Sequence, residues 1–185
     1  MKYIYFRRYS NSQFSRRVDG QMKIHINPVS DENRIEIIER LAFEIWNQHF
    51  IPIIGQAQVE YMLEKFQSKV AIAEQIANGY LYFLLASGDQ DIGYMAVLPQ
   101  ADRLFLSKLY LLSSERGKGY GTNAVAFLEN LAVEKGVGKI ALTVNRHNSD
   151  TIGAYESLGF QNVGTVVQDI GGGFVMDDYK MEKPV

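Results

Sequence analysis

"SSERGKGYGTN", residues 113–123, sets Gly117, Gly119 and Gly121 at alternate positions, with Arg116 and Lys118 beside them. Before it lies an extended apolar run, "LFLSKLYLL" (104–112); after it, Ala124, Phe127, Leu128 and Leu131 recur at helical spacing. The stretch therefore reads as the turn between a strand and a helix. At such a junction the first N–H groups of the helix lack intrahelical partners, and the helix dipole presents partial positive charge. Missing Cβ atoms let an anion approach the main chain, and Arg116 and Lys118 add charge. Each amide or dipole contact contributes about 0.3–1 kcal/mol, so several must converge on a diphosphate to hold it firmly. A turn that needs only positive φ accounts for one of these glycines, or two. The spacing fits neither G-x-x-x-x-G-K-[ST] nor G-x-G-x-x-G, whose third glycine falls one position later than here.

Outward from the turn, the chain reads as alternating elements. "KIHINP" (23–28) alternates as a strand does, and "SDEN" offers caps to the amphipathic helix "RIEIIERLAFEIWNQHF" (34–50). "IPIIG" breaks that helix, and two shorter ones are expected over 56–68 and 69–79, the second stopped by Asn78-Gly79. The runs "YLYFLLAS", "IGYMAVLP" and "LFLSKLYLL", separated by "GDQD" and "QADR", form an antiparallel meander. The helix after the glycines ends at "GVG" before the strand "KIALTVN" (139–145), an order that implies local parallel pairing. "SDTIGAYESLGF" reads as a capped helix running into another strand, and "GGGFVMDDYKMEK" closes the chain as a last one.

Bulk properties bound the possibilities. A length of 185 residues at 46% hydrophobic composition fills one core. Net charge is −2, so no global field directs the chain to nucleic acid or an anionic membrane. The absence of cysteine excludes disulfides, thiolate metal sites and cysteine nucleophiles. The longest apolar run, "YLYFLLA", is far below the roughly 18–20 residues that span a bilayer, so the expectation is a soluble, cytoplasmic protein. Residues 1–21 carry five Lys or Arg against one Asp, net +4, and leave −6 for the rest, which divides the chain into a basic extension (1–21) and a single domain (22–185). The three histidines assemble no metal site.

Arg116-Gly-Lys-Gly119-Tyr-Gly121 resembles the (Q/R)-x-x-G-x-(G/A) signature of the GNAT superfamily of acetyl-CoA-dependent N-acetyltransferases. "VNRHNSDTIGAYESLGF" is similar to a second block of that family, with Asn148 followed seven residues on by Tyr155 and then by Gly159-Phe160. The resemblance is best over residues 103–162. It implies an α/β fold: a mixed, mostly antiparallel sheet of six or seven strands, with splayed central parallel strands and flanking helices. It also implies acetyl-CoA as co-substrate. The amides from Gly117 to Thr122, with Arg116, Lys118, Gly119, Tyr120 and Gly121 between or beside them, would hold the coenzyme's diphosphate. The main chain of Leu109, Tyr110 and Leu111 would pair with its pantetheine arm. Tyr155 would be the general acid for the departing thiolate. Asn148 would bond the arm or cap the helix after it. Gly153, inside that helix, costs about 1 kcal/mol against alanine, which calls for a close neighbour.

One part of the family pattern is missing. A glutamate often stands five residues before the asparagine; here Thr143 does, and the earlier strand offers only Ser107 and Lys108. An alkyl ammonium with a pKa of about 10.4 must shed a proton at a cost of about 4.6 kcal/mol at pH 7. The remaining candidate bases are Asp177, Asp178 and Glu60. His49, with Trp46, Phe50 and Tyr61, falls in the segment that family members use for the acceptor, although core packing explains these rings as well. "EIWNQHFIPIIGQAQVEYMLEKFQS" and the closing strand are similar to members related to bacterial polyamine acetyltransferases. The expected reaction is direct acetyl transfer to an amine of a small molecule or peptide, with a homodimer possible. A coenzyme-binding module without catalysis, or a nucleotide-binding protein, stands as the alternative.

Overall fold

A computed structural model describes residues 24–185, so the basic extension lies outside the described residues. Seven strands form one sheet in the order β1-β2-β3-β4-β5-β7-β6. They are β1 (His25–Pro28), β2 (Leu81–Ser87), β3 (Gln90–Pro99), β4 (Leu104–Leu111), β5 (Lys139–Asn145), β6 (Gln161–Gly171) and β7 (Phe174–Pro184). Every neighbouring pair is antiparallel except β4 and β5. The alternation of β2 distributes side chains to two cores: Phe83 and Leu85 face one, Tyr82 and Leu84 the other.

The first core is closed by the helix after the glycines, α5 (Tyr120–Lys135), through Ala124, Leu128 and Leu131. Helix α6 (Ser149–Ser157) also lies on this side, with Ile152 and Tyr155 packed against the same cluster. The second core is closed by α1 (Glu32–His49), α2 (Ile51–Ile54), α3 (Gln56–Met62) and α4 (Lys69–Ala77). Helix α1 is started by the Asp31 carboxylate, which accepts a hydrogen bond from the Arg34 amide at 3.0 Å. Its buried stripe of Ile35, Ile38, Leu41, Ala42, Ile45 and Trp46 keeps helical spacing.

The segment expected to break α1 is itself a helical turn, because Pro52 is preset for a first turn and Gly55 ends it at φ 81°. The single helix expected over 56–68 instead widens into a π-helical turn at Leu63–Gln67. That turn brings Gln67 inside, where its side-chain oxygen accepts from the Tyr94 hydroxyl at 3.1 Å. No helix among the described residues is long and apolar enough to cross a membrane.

One irregularity organises the middle of the sheet. Ala96 of β3 faces Lys108 and its neighbour Val97 faces Leu106, so Ser107 is an extra residue in β4. The bulge reverses the faces of the strand. Leu104 and Leu106 belong to the first core, and beyond Ser107 that side is continued by Leu109 and Leu111, while Tyr110 turns to the second. Parallel pairing of β4 with β5 ends at the same point: Leu104, Phe105 and Leu106 face Ile140, Ala141 and Leu142, and no partner follows. The central strands are thus splayed, as the family resemblance implies.

Behind the open edge, the β3–β4 ladder is unusually close at Gly93, where an added Cβ would stand 2.2 Å from the Tyr110 carbonyl oxygen. We expect Gly93→Ala to lower the stability of the chain by about 1–3 kcal/mol through this overpacking, read as a shifted denaturant midpoint.

Candidate active site

The splay opens a cavity of about 590 Å³ between the diverging strands. It is lined by β4 from Leu106 onward, the end of β5, the loop before α5, and α6, together with α1 to α3 and β7. Among the residues singled out in the sequence, Leu109, Tyr110, Leu111 and Arg116 reach this cavity. So do Gly117, Gly121, Asn148 and Tyr155. Lys118, Gly119, Tyr120 and Thr122 stand outside its lining.

The three glycines divide by role. Gly117 and Gly119 have φ of 74° and 81°, a left-handed backbone that side chains disfavour. Gly121 does not; a Cβ there would meet nothing within 4 Å, so it keeps space open in the first turn of α5. No side chain caps that helix, which leaves the Gly121 and Thr122 amides directed out of its N-terminal end. These two features, open space over glycine and an uncapped helix start, fit a diphosphate. The β4 main chain beyond Leu106, lacking a strand partner on the β5 side, fits an extended amide-bearing arm.

Some side chains in the loop do other work. Lys118 forms an exposed ion pair with Glu115 at 3.0 Å. Tyr120 is buried, its hydroxyl 3.0 Å from the Ser87 hydroxyl, so what it offers the loop is main chain. Arg116 turns back toward α1. Its guanidinium donates to the Leu111 carbonyl at 3.3 Å and to His49 Nδ1 at 2.9 Å. A donor at Nδ1 requires a neutral imidazole, and the environment agrees, since burial first and the Arg116 charge second hold the His49 pKa below its usual 6.5.

Two sequence expectations about α6 are corrected. Asn148 occupies the N-cap position but makes no side-chain capping bond; it is buried, lines the cavity with His49, and acts to raise the pKa of that imidazole. Gly153 has no close neighbour: a Cβ there would meet nothing within 4 Å, because α6 exposes that position.

Tyr155 packs edge-on against Phe160 with centroids 5.3 Å apart, and burial raises its hydroxyl pKa, so the phenol stays protonated. Tyr110 is raised likewise by burial, and further by the negative charges that Tyr155 and Asp178 can carry, so these three groups share the slot.

The three candidate carboxylates separate clearly. Glu60 is exposed and accepts from the Gln56 side chain at 2.7 Å. Asp177 pairs with Arg146 at 2.9 Å, outside the cavity lining. Asp178 is 2% exposed, lines the cavity, and keeps Oδ1 without a hydrogen-bond partner. Burial raises its pKa to about 6, opposed by a hydrogen bond from the Thr143 hydroxyl and reinforced by Asp177. Thr143, which stands where a glutamate was sought, thus supports a carboxylate reaching in from β7. Ser107 forms the bulge, and Lys108 is buried beneath α4, donating to the Gln75 side-chain oxygen at 2.6 Å.

Of the aromatic group, Trp46, His49 and Phe50 line the cavity, whereas Tyr61 anchors the β6–β7 turn by donating to the Ile170 carbonyl.

Residues 40–160 match the model of the Acetyltransferase (GNAT) family. The chain belongs to this family. Over 63 residues it is 36% identical to the uncharacterized N-acetyltransferase YycN of Bacillus subtilis (strain 168), a stretch covering 34% of this chain and 40% of that relative. Its fold is that of PaiA N-acetyltransferase from Thermoplasma acidophilum, crystallised with coenzyme A, at a TM-score of 0.74 and 24% identity over 89% of this chain and 100% of that one. The spermidine N-acetyltransferase SpeG of Vibrio cholerae superposes at a TM-score of 0.61 and 15% identity over 87% of this chain and 93% of that one. Likenesses at these identities carry the fold. The GNAT family uses acetyl-CoA as its co-substrate.

The His49–Arg116 contact has a direct readout. In an NMR titration the His49 imidazole should titrate below 6.5, and Arg116→Ala should move its pKa upward by removing the charge that opposes protonation.

Proposed function

We propose that this chain transfers the acetyl group of acetyl-CoA to a primary amine of a small molecule, polyamines included, or of a peptide, by direct attack with both substrates bound together. The observation that carries this reading is the buried, unpartnered Asp178 oxygen in the same slot as the protonated Tyr155 hydroxyl. Acetyl-CoA supplies an activated acyl group and a thiolate leaving group. The main chain of Leu109 to Leu111 and the amides of the first turn of α5 bind and orient it, with Arg116 adding charge at the loop. Asp178, ionised at neutral pH, attracts the ammonium of the acceptor into the slot and takes one proton from it, which frees the nitrogen lone pair to attack the thioester carbonyl; the second N–H proton leaves the resulting adduct to water as the amide forms. Tyr155 donates its proton to the sulfur as the carbon–sulfur bond breaks, and bulk water restores both groups.

A coenzyme-binding module without catalysis was motivated by the missing strand glutamate. The carboxylate from β7 removes that motive, and its burial argues the same way. A carboxylate held in a desolvated site without a cation is costly, and such groups gather where chemistry needs them.

The Asp178 role has two signatures of opposite sign. Activity depends on the ionised form, so kcat/KM should fall as pH drops through about 6, and Asp178→Asn should abolish that limb and cut the rate at least ~100-fold. Stability runs the other way. Because the folded pKa is raised from 3.8 to about 6, this group's contribution is present below pH 3.8 and lost as pH rises to 6, a loss on the order of 3 kcal/mol. Asp178→Asn should therefore be no less stable than the parent at pH 7, measured by thermal unfolding.

For the acid, Tyr155→Phe keeps the ring against Phe160 and removes the proton. It should lower thiol release at least ~10-fold with coenzyme A binding unchanged by calorimetry.

A further inference from the structure

One wall of the cavity is built from Trp46, Phe50, Ile54, Met62, Tyr110 and Met176. Three of these are aromatic and in mutual contact: Trp46 lies 4.4 Å from Phe50 and 5.5 Å from Tyr110, and Phe50 lies 5.9 Å from Tyr110, between ring centroids. The polar exceptions on this side are Gln58, whose amide already donates to the Val175 carbonyl at 3.0 Å, and Asp178.

The charges around the whole cavity are few. Asp150, on the first turn of α6, is close enough to raise the pKa of His49 and so sits at the coenzyme end. Arg116 and His49 belong to the same end. Beside Tyr110, Asp178 is the one carboxylate of the lining; its neighbour Asp177 lies outside the lining, paired with Arg146, and the lining cation Lys108 is engaged by Gln75.

From this wall and this single carboxylate we infer that the acceptor is an amine bearing one positive charge on an apolar body, best an aromatic one, and that polycations are poor acceptors. The inference rests on the acetyl-transfer reading and narrows its substrate class. Its energetic basis is the balance for a second ammonium. Entering this wall strips the hydration of the ion, and Asp178 is already engaged by the reacting nitrogen. Cation–π attraction to an aromatic face does not cover that cost. An aromatic or alkyl body loses no polar hydration there and gains in proportion to the apolar surface it buries.

The test compares 2-phenylethylamine with spermidine on the full chain with acetyl-CoA, following thiol release. We expect kcat/KM to be at least 10-fold higher for 2-phenylethylamine, and Met176→Glu, which adds a carboxylate to the wall, to shift that ratio at least 10-fold toward spermidine. Equal or better use of spermidine by the parent chain overturns the inference. A second readout is independent of catalysis. Trp46 is the one tryptophan of the chain and lines the wall, so its fluorescence reports occupancy in the presence of coenzyme A. Should no amine release thiol while 2-phenylethylamine still perturbs Trp46 with a lower Kd than spermidine, acetyl transfer fails and the acceptor class stands. Should neither amine perturb it, or spermidine bind more tightly, the acceptor class fails.

Discussion

The extra residue at Ser107 is the constraint from which the rest of the molecule follows. A parallel pair buried in the middle of a sheet ordinarily continues to the ends of its strands, since each unpaired main-chain group in such a place costs as much as a lost hydrogen bond. Here β4 and β5 part after three facing residues. The bulge makes the parting stable: β4 keeps its ladder to β3 while bending away from β5. It also exchanges the two faces of β4, which brings Tyr110 into the helical core beside Trp46 and Phe50. One inserted residue thus produces both the slot and one wall of it.

The opposite wall depends on β7, which pairs in register with the whole length of β5 and sets Asp178 facing Asn145. Because β5 keeps this partner after losing β4, its end remains a fixed platform, and Asp178 is held in the slot by strand geometry. The buried carboxylate and the buried ammonium of Lys108, whose pKa desolvation lowers to about 8, are both kept by the fold against their solvation preference. Lys108 is satisfied: Gln75 accepts from it, and the rings of Tyr80 and Tyr82 lie 5.8 and 5.4 Å away. Asp178 is not, and that difference separates a structural charge from one available for chemistry.

The sequence displayed the glycine loop, the seven extended runs and the helix after the loop because each is a local signal, a period or a turn residue within a dozen positions. The bulge was not legible. "LFLSKLYLL" alternates well enough to read as one regular strand, and only the register against Ala96 and Val97 exposes Ser107. The carboxylate in the slot was legible as one of three candidates, Asp177, Asp178 and Glu60, and the sequence did not choose among them. A carboxylate was sought on the splayed strands, whereas the one that reaches the slot comes from the last strand, through pairing between residues more than thirty apart. Asp177 and Asp178 are adjacent in sequence and point to opposite faces, so period-2 geometry decides between solvent and slot. Asn148 misled for a similar reason. Its place at a helix start suggests a cap, yet α1 brings His49 within its reach, and that contact has no trace in the local pattern.

Helix α1 joins the two ends of the cavity. Its last turn gives Trp46 to the apolar wall and His49 to Arg116 of the glycine loop, one turn apart on the same rigid element. The other end of the helix is fixed by the Asp31 cap and by Lys69, whose ammonium reaches Glu32 and Glu36 at 2.9 and 2.7 Å. A shift of the loop around Arg116 therefore acts on the helix that carries the wall, through a single hydrogen bond to a neutral imidazole. Protonating His49 would convert that bond into a repulsion between two cations, so acid below the usual imidazole range loosens the tie between loop and wall.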